Sequence, residues 1–563
     1  MAEITDDRLA VEEGAVRLRS SAVVHVLALA ALAVAVILLG DARTASGSDA
    51  GGKLATVVAM AEDDSWSPDL GYWAEATEPD GVHHPLWHTQ HLGDQWVQAT
   101  SIPFVVAARP LLDLGGPMAA LALPVAGCLL AALAARRLDR VLNGGEGWAA
   151  FWLVGAAGPA LFYAGDFWEH APALGLALLA VSLALDAETT TRGAIIGLAA
   201  GLAVVLRAEM LLYGGVFVLA SLAVGAERRR WAARARVVVA AVGAAGVALL
   251  ANTVIERLVL DESVRAARAG STVSSAGAGL AGRATDAFVT SVGLFAGDDP
   301  AVLLCGALFV GCLLLVAARA VWPEAVTGRI AVAAGTVAGL LVLLRLSLGL
   351  GFVPGAFAAV PLAALGALSA RGPQPKVLAA TALGTLPLVW MLAWQGNHVA
   401  QWAGRYILLS GALLTVLAVG EARRVGWRTA PVVFLAGLTL VMATFGLAWH
   451  VQRTDRVARA VEHVEAVPDD VVIVSDMAHL GREGGAWYGD HRWVRTADDG
   501  VLIDAVQVAM DAGATELRVV ELVTTGAAGD DDPVPPGLTP SGPEERVPFV
   551  GGQELVVRDY RTG

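Results

Sequence analysis

Apolar residues run in long blocks along most of this chain, and the charged residues are bunched into the gaps between them. A block of about 18 residues with almost no charge is long enough to cross a bilayer as a helix. Reading blocks against charged breaks predicts thirteen spans, near Ser21 to Gly40, Pro117 to Ala135, Trp148 to Gly165, Ala171 to Leu185, Gly193 to Leu206, Met210 to Gly225, Val237 to Ile255, Ala301 to Ala318, Ile330 to Leu344, Val353 to Ala370, Val377 to Trp394, Tyr406 to Gly420 and Pro431 to Trp449. Three stretches break the pattern. Residues 41–116 are acidic and aromatic, with Trp66, Trp73, Trp87 and Trp96, and residues 256–300 are rich in Gly, Ala and Ser. Beyond Val451 the period changes: a strand-like run at Val471 to Ser475, an amphipathic helix near Val501 to Ala512, and strands at Glu516 to Leu522 and Glu554 to Asp559 predict a small α/β domain.

The expected architecture is therefore an all-α polytopic membrane protein of about thirteen transmembrane helices. It divides into a cytoplasmic N-terminus (1–20), a membrane domain (21–450) with large outer loops at 41–116 and 256–300, and an extracytoplasmic α/β domain (451–563). The placement of Arg and Lys gives the orientation. With the N-terminus inside, the inner segments hold 19 basic residues and the longer outer loops hold ten, the bias of cytoplasmic loops. Arg17 and Arg19 before the first run could suggest a cleaved signal peptide, but the run is long for one and the topology needs it, so an uncleaved first helix is expected.

Composition sharpens this picture. Of the 563 residues 56% are hydrophobic, mean hydropathy is +0.60, and only 16% are charged, against about a quarter in a soluble domain. A net charge of -14 with no basic stripe argues against a nucleic-acid partner. Cys128, Cys305 and Cys312 all fall in apolar runs and read as small embedded hydrophobes. Only Lys53 and Lys376 among the 39 basic residues are lysine, a bias that, with the Ala, Gly and Val richness, points to a GC-rich bacterial genome and hence a bacterial plasma membrane.

Charged residues at membrane depth are expensive and mark functional sites by default. Asp49 follows the first span. Asp166, Glu169 and His170 lie between the third and fourth, Arg207 and Glu209 between the fifth and sixth, Arg345 after the ninth, and Arg405 with Tyr406 opens the twelfth. All fall on one side of the membrane, so one outward polar cavity is the economical explanation; interfacial snorkelling is the bland alternative. Leu54, Val57, Val58 and Ala61 recur at helical spacing, predicting a helix along the membrane surface, with Ser48 at its N-cap and Asp49 in its first turn. Asp49 and Lys53 sit four apart, which on a surface helix is worth a few tenths of a kcal/mol. His84 and His88 would share a face if their stretch were helical, a spacing that suits zinc or manganese; substrate hydrogen bonding and loop packing are the other readings.

Several of these residues fall into a familiar order. Ser48-Asp49 stands just after the first span. A His/Pro-rich stretch from His83 to Trp87 leads to helices around Gln98 to Leu114. Pro159 to Tyr163 precedes Phe167-Trp168-Glu169-His170, Gly197 to Glu209 is a Gly-rich helix ending in Arg, and Gln401 to Tyr406 is a late Arg-Tyr element. Over nearly its whole length the chain resembles the GT-C superfamily of membrane-embedded glycosyltransferases, which take a sugar from a polyprenyl phosphate outside the cytoplasmic leaflet. Ala50 and His83-His84-Pro85 depart from the acidic and Tyr-Pro positions of many relatives.

The resemblance implies a hexosyl- or pentosyltransferase with Asp49 as general base, and substrate contacts from Lys53, His84, His88, Glu169, His170, Arg207, Glu209 and Arg405. It implies a polyprenyl-phosphate sugar as donor, an envelope glycan, lipid or protein as acceptor, contact with membrane lipid, and a divalent metal as the one conceivable cofactor. A transporter or flippase of lipid-linked sugars is the rival. It predicts broken helices in matching halves and charges at mid-membrane.

Overall fold

The computed structural model describes residues 3–98, 101–224, 231–260, 264, 279–297, 299–392, 402–477, 479–497, 501–526 and 537–562. Arg228, Arg229, Arg230, Gln401, residues 261–263, 265–278 and 298 of the Gly/Ala/Ser-rich second loop and residues 527–536 of the tail lie outside them.

Among the described residues seven helices are long and apolar enough to cross a membrane: Ser21–Leu39, Ala235–Leu260, Pro300–Val321, Gly328–Ser347, Pro373–Leu392, Arg405–Val425 and Ala430–Val464. Ile102–Ala120 and Ala122–Asn143 form an eighth if taken as one span bent by 68°. The bend follows Gly115, Gly116 and Pro117, where the backbone leaves helical geometry and Gly116 takes φ 66°. His170–Ala184, Thr190–Leu206 and Met210–Val224 are shorter apolar helices. Besides the 68° bend, which falls inside the expected span 117–135, two of the thirteen expected spans are not continuous. Residues 148–165 form Trp148–Gly155 and Pro159–Ala164, and residues 353–370 form Ala356–Ala359 and Ala363–Ala367, with Pro159 and Pro361 at or near the breaks. An apolar run records burial, not helix continuity, and proline removes the donor that a continuous helix needs.

The expected surface helix is Ser48–Glu62, capped by Gly47. It does not lie on a surface. Leu54, Val57, Val58 and Met60 pack with Phe104, Val105 and Ala108 of Ile102–Ala120, while Ala55 and Ala59 on the opposite side pack with Leu70, Leu86 and Trp96 of the first loop. At its start the tail domain presses on it so closely that a Cβ at Gly51 would stand 1.7 Å from the Arg482 carbonyl oxygen. Glycine is required there, and only the tertiary contact says so.

The tail is a mixed sheet. Val472–Ser475 pairs in parallel with Arg492–Arg495 on one side and Glu516–Thr524 on the other; Gln553–Thr562 then adds antiparallel, with Leu538–Pro540 and Glu545–Pro548 paired to it. The alternation of the strands splits the core in two. Val472 and Val474 face the helix Leu502–Asp511 through Ala505, Val506 and Ala509, whereas Ile473, Val520 and Leu555 face Val457, Ala460, Val461 and Val464. Those last four residues belong to Ala430–Val464, so the final membrane helix continues without a break into the core of the tail's sheet domain.

Candidate functional site

Asp49 stands in the first turn of Ser48–Glu62, where the helix dipole favours a carboxylate. The return from the first span is pinned on both sides. The Ser46 N–H donates to Asp166 (3.1 Å), and Arg453 Nε donates to the Ser46 carbonyl (2.6 Å). Two guanidinium groups close on the Asp49 carboxylate, one to each oxygen: Arg405 Nη1 at 2.9 Å from Oδ2 and Arg482 Nη2 at 3.1 Å from Oδ1.

These arginines arrive by different routes. Arg405 follows Ala403 and Gly404, both at positive φ (59° and 60°), which turns the chain into the start of its helix. Ala403 has no glycine-like freedom, and backbone strain of this kind collects at functional sites. The turn is held by Tyr163, whose hydroxyl donates to the Trp402 carbonyl at 2.7 Å. Arg482 comes from the tail, in the short helix Leu480–Glu483, while its neighbour Glu483 pairs with Arg453 at 2.6 Å.

Below Asp49 the cations are shared out among buried carboxylates. Glu169 holds Lys53 (3.2 Å) with one oxygen and Arg207 Nη1 (3.2 Å) with the other, and Arg207 Nε reaches Glu209 at 2.8 Å. Lys53 Nζ also donates to the Asp49 backbone carbonyl at 3.1 Å, so the i, i+4 relation seen in the sequence works partly through the main chain. Aromatic rings line the same space. The Arg405 guanidinium lies 5.1 Å from the Trp168 ring and 4.9 Å from Tyr406, and Arg207 lies 5.1 Å from Tyr406. His170 stacks on Tyr163 at 5.0 Å, and neither of its ring nitrogens has a hydrogen-bond partner among the described residues. Arg405 Nε is likewise buried without a partner. Unmade hydrogen bonds of this kind cost free energy unless a ligand takes them.

Exposure separates the carboxylates. Glu169 and Glu209 side chains are 2% and 4% accessible, whereas Asp49 is 30% accessible. Asp49 is the carboxylate of this cluster that an incoming group can touch.

The structure thus brings Asp49, Lys53, Glu169, His170, Arg207, Glu209 and Arg405 into one cluster. Arg345 is elsewhere, donating to the Gly349 and Phe352 carbonyls. His84 and His88 do not form a ligand pair, because residues 83–91 are turns and a strand, not a helix. His84 is buried, accepts from the Leu86 N–H at 3.1 Å through Nδ1, and sets Nε2 3.1 Å from the Gly71 carbonyl; burial pushes its pKa down to about 4. His88 takes φ 66° and stacks on Trp87. Among the described residues no three His, Cys, Asp or Glu side chains come together as a metal would need, and both Asp49 oxygens already accept from guanidinium groups. This donor set does not fit a divalent ion.

The residue that sequence reasoning passed over is Arg482. It lies in Gly481-Arg482-Glu483-Gly484-Gly485, and its contact with Asp49 spans 433 residues. Beside it, His479 is driven down to about 4 by burial first and then by Arg482, Arg453 and Arg495, so it is neutral at pH 7.

No protein-family model matches the chain, and no curated protein matches it either. Among solved structures it aligns with ArnT from Cupriavidus metallidurans in the apo state at 12% identity, over 96% of this chain and 98% of that one, with a TM-score of 0.49. It also aligns with the Archaeoglobus fulgidus oligosaccharyltransferase in the apo form, at 14% identity over 88% and 69% of the two chains with a TM-score of 0.48. The same archaeal protein in complex with Zn and sulfate gives 13% identity over 87% and 67%, with a TM-score of 0.46.

Proposed function

We propose that this chain is an inverting glycosyltransferase that moves a sugar from a polyprenyl-phosphate donor to an acceptor hydroxyl on the outer face of the membrane, with Asp49 as general base. The observation that carries the reading is the setting of Asp49: an accessible carboxylate just beyond the end of a membrane span, with Lys53, Arg207 and Arg405 beneath it and a soluble domain above. The order of motifs shared with GT-C enzymes supports the same reading.

A lipid-linked donor presents its phosphate at the bilayer surface. Arg405, Arg207 and Lys53 supply the charge to hold it, and the unpartnered Arg405 Nε–H and one His170 ring N–H supply further hydrogen bonds. In the reaction the acceptor oxygen bonds to the anomeric carbon while its proton passes to Asp49. The anomeric carbon–oxygen bond breaks, and its electron pair leaves with the polyprenyl phosphate. The leaving phosphate needs no general acid, only cations, and the transition state is oxocarbenium-like. A single displacement inverts the anomeric centre. Two guanidinium groups hold the Asp49 carboxylate.

Asp49→Asn keeps the shape and removes the base. Turnover should fall by about a hundredfold or more with undecaprenyl-phosphate affinity little changed. Near-normal turnover by a folded, donor-binding Asp49→Asn protein would end the assignment.

One observation favours the rival transporter or flippase reading: two spans are broken, at 155–159 and at 359–363, and discontinuous helices are a mark of transporters. Proteoliposomes decide between the two. Movement of a labelled polyprenyl-phosphate sugar between leaflets, without sugar transfer to any acceptor, would establish the flippase.

A further inference from the structure

At the outer edge of the molecule the first loop and the tail domain meet over a cavity of about 360 Å³, within the range of small-molecule sites. The first loop lends it Trp73; the tail lends it Asp469, Tyr488, Asp490, Arg492 and Trp493. The polar atom of every one of these aromatic residues is already engaged. Trp73 Nε1 donates to the Trp493 carbonyl at 2.8 Å, the Tyr488 hydroxyl donates to the Leu70 carbonyl at 2.7 Å, and Trp493 Nε1 donates to Glu465 at 3.0 Å. These bonds lock the rings in place; Trp493 is buried and the Arg492 guanidinium lies 5.7 Å from the Trp73 ring, so the half-buried Trp73 and Tyr488 are the rings offered to a ligand. Asp469, Asp490 and Arg492 beside them are exposed.

Fixed apolar ring surface bordered by charged hydrogen-bonding groups suits a molecule with a C–H face and a rim of hydroxyls. Two carboxylates against one guanidinium disfavour a phosphorylated or otherwise polyanionic ligand, so this cavity and the cation-rich space beneath Asp49 select different chemistry.

Chain segments that line the cavity also run close to the Asp49 helix. Gly485 lies so close to Gly51 that a Cβ there would meet the Gly51 carbonyl oxygen at 2.3 Å, and from Gly485 to Tyr488 the chain spans at most about 11 Å. Pro85 lines the cavity, and two residues on, the Trp87 ring lies 5.9 Å from the Arg482 guanidinium that holds Asp49.

We propose that this cavity is a subsite for a neutral sugar ring of the acceptor, so that the acceptor is a glycan lying along the seam between the first loop and the tail, with its reacting hydroxyl at Asp49. This rests on the glycosyltransferase reading. The test uses the full chain in nanodiscs and saturation-transfer NMR with methyl α-D-mannopyranoside, methyl α-D-glucopyranoside, methyl β-D-galactopyranoside and methyl α-D-arabinofuranoside, and in parallel measures undecaprenyl-phosphate binding. At least one glycoside should bind. Its affinity should fall at least about fivefold in the double variant Asp469→Asn/Asp490→Asn, the loss of hydrogen bonds to charged groups. Trp73→Phe should weaken it in the same direction, and both variants should keep the undecaprenyl-phosphate affinity of the parent. Absence of glycoside binding alongside normal undecaprenyl-phosphate binding, or glycoside binding unaltered in both variants, overturns the subsite and leaves the donor reading standing. Failure of the parent chain to bind undecaprenyl phosphate counts against the donor reading itself.

Discussion

On its membrane side Asp49 faces Lys53, Arg207 and Arg405, all buried and two of them sharing the single carboxylate of Glu169. On its outer side it faces Arg482, backed by Trp87 and the neutral His479, which lies 4.8 Å from the Trp87 ring. The inner side is buried charge sharing one countercharge; the outer side sets Arg482 against an aromatic ring, with the Arg453–Glu483 pair beside it. An arrangement of the first kind suits an anion and its displacement of a resident carboxylate. The second suits a larger, mostly uncharged partner held by surface contact. On the proposed reading, Asp49 stands between the place for the donor phosphate and the place for the acceptor.

The largest effect should come from breaking the inner side. Glu169→Ala leaves Lys53 and Arg207 without a shared buried partner, and loss of one member of a buried network costs about 3–5 kcal/mol. Thermal unfolding in detergent measures it, and a variant as stable as the parent would mean that the inner charges are solvated. Next comes a contrast between the two arginines. Arg405→Ala should weaken undecaprenyl-phosphate binding by about tenfold or more, the worth of a charge-assisted hydrogen bond. Arg482→Ala should leave that affinity within about twofold while lowering turnover. Equal losses in both variants would merge the two sides into one phosphate site. A smaller effect is expected of chelation. With both Asp49 oxygens on guanidinium groups, dialysis against EDTA should change turnover by less than about twofold, and rescue by manganese or magnesium would contradict the assignment.

The smallest effect is a pH dependence at the edge of the outer side. Burial raises Glu465 to about 8 although Trp493 donates to it. Unfolded, it would titrate near about 4.3. Between those values the folded chain keeps a proton that the unfolded chain loses, so stability falls as pH rises through that window. Glu465→Gln should therefore gain on the parent in melting temperature from about pH 4.5 to pH 8, with the gap constant above. A gap that does not change with pH would show that Glu465 is already ionised in the fold.

Much of the fold was legible as apolar runs and periodicities. The long helices Pro300–Val321, Gly328–Ser347 and Pro373–Leu392 fall on long uncharged runs, and the tail's strands at 472–475, 516–524 and 553–562 fall on the short strand-like runs. Breaks were not legible, because Pro159 and Pro361 sit in runs as apolar as any span. Nor were the strands Arg492–Arg495 and Glu545–Pro548, whose charged edges hide the alternation. The site divides in the same way. Glu169, Arg207, Glu209 and Arg405 stand out as charges interrupting apolar sequence. Arg482 stands in polar sequence among other arginines, where charge is unremarkable, and only the backbone contact at Gly51 reveals its place. His84 misled for the opposite reason: its spacing from His88 suggested a helix that Pro85 and the turns around it do not allow.

The helix Ala430–Val464 runs 35 residues, about 52 Å, from the membrane into the heart of the soluble domain. It acts as a mast. A helix that stopped at the bilayer surface would let the tail swivel on a hinge, but here the mast carries the tail, and the contacts of Arg453 with Ser46 and of Gly51 with Arg482 bind Asp49 and Arg482 into the same body. Lipid thickness is one of the things that sets helix tilt. A change of tilt is therefore expected to carry both halves of this site together and leave their alignment intact.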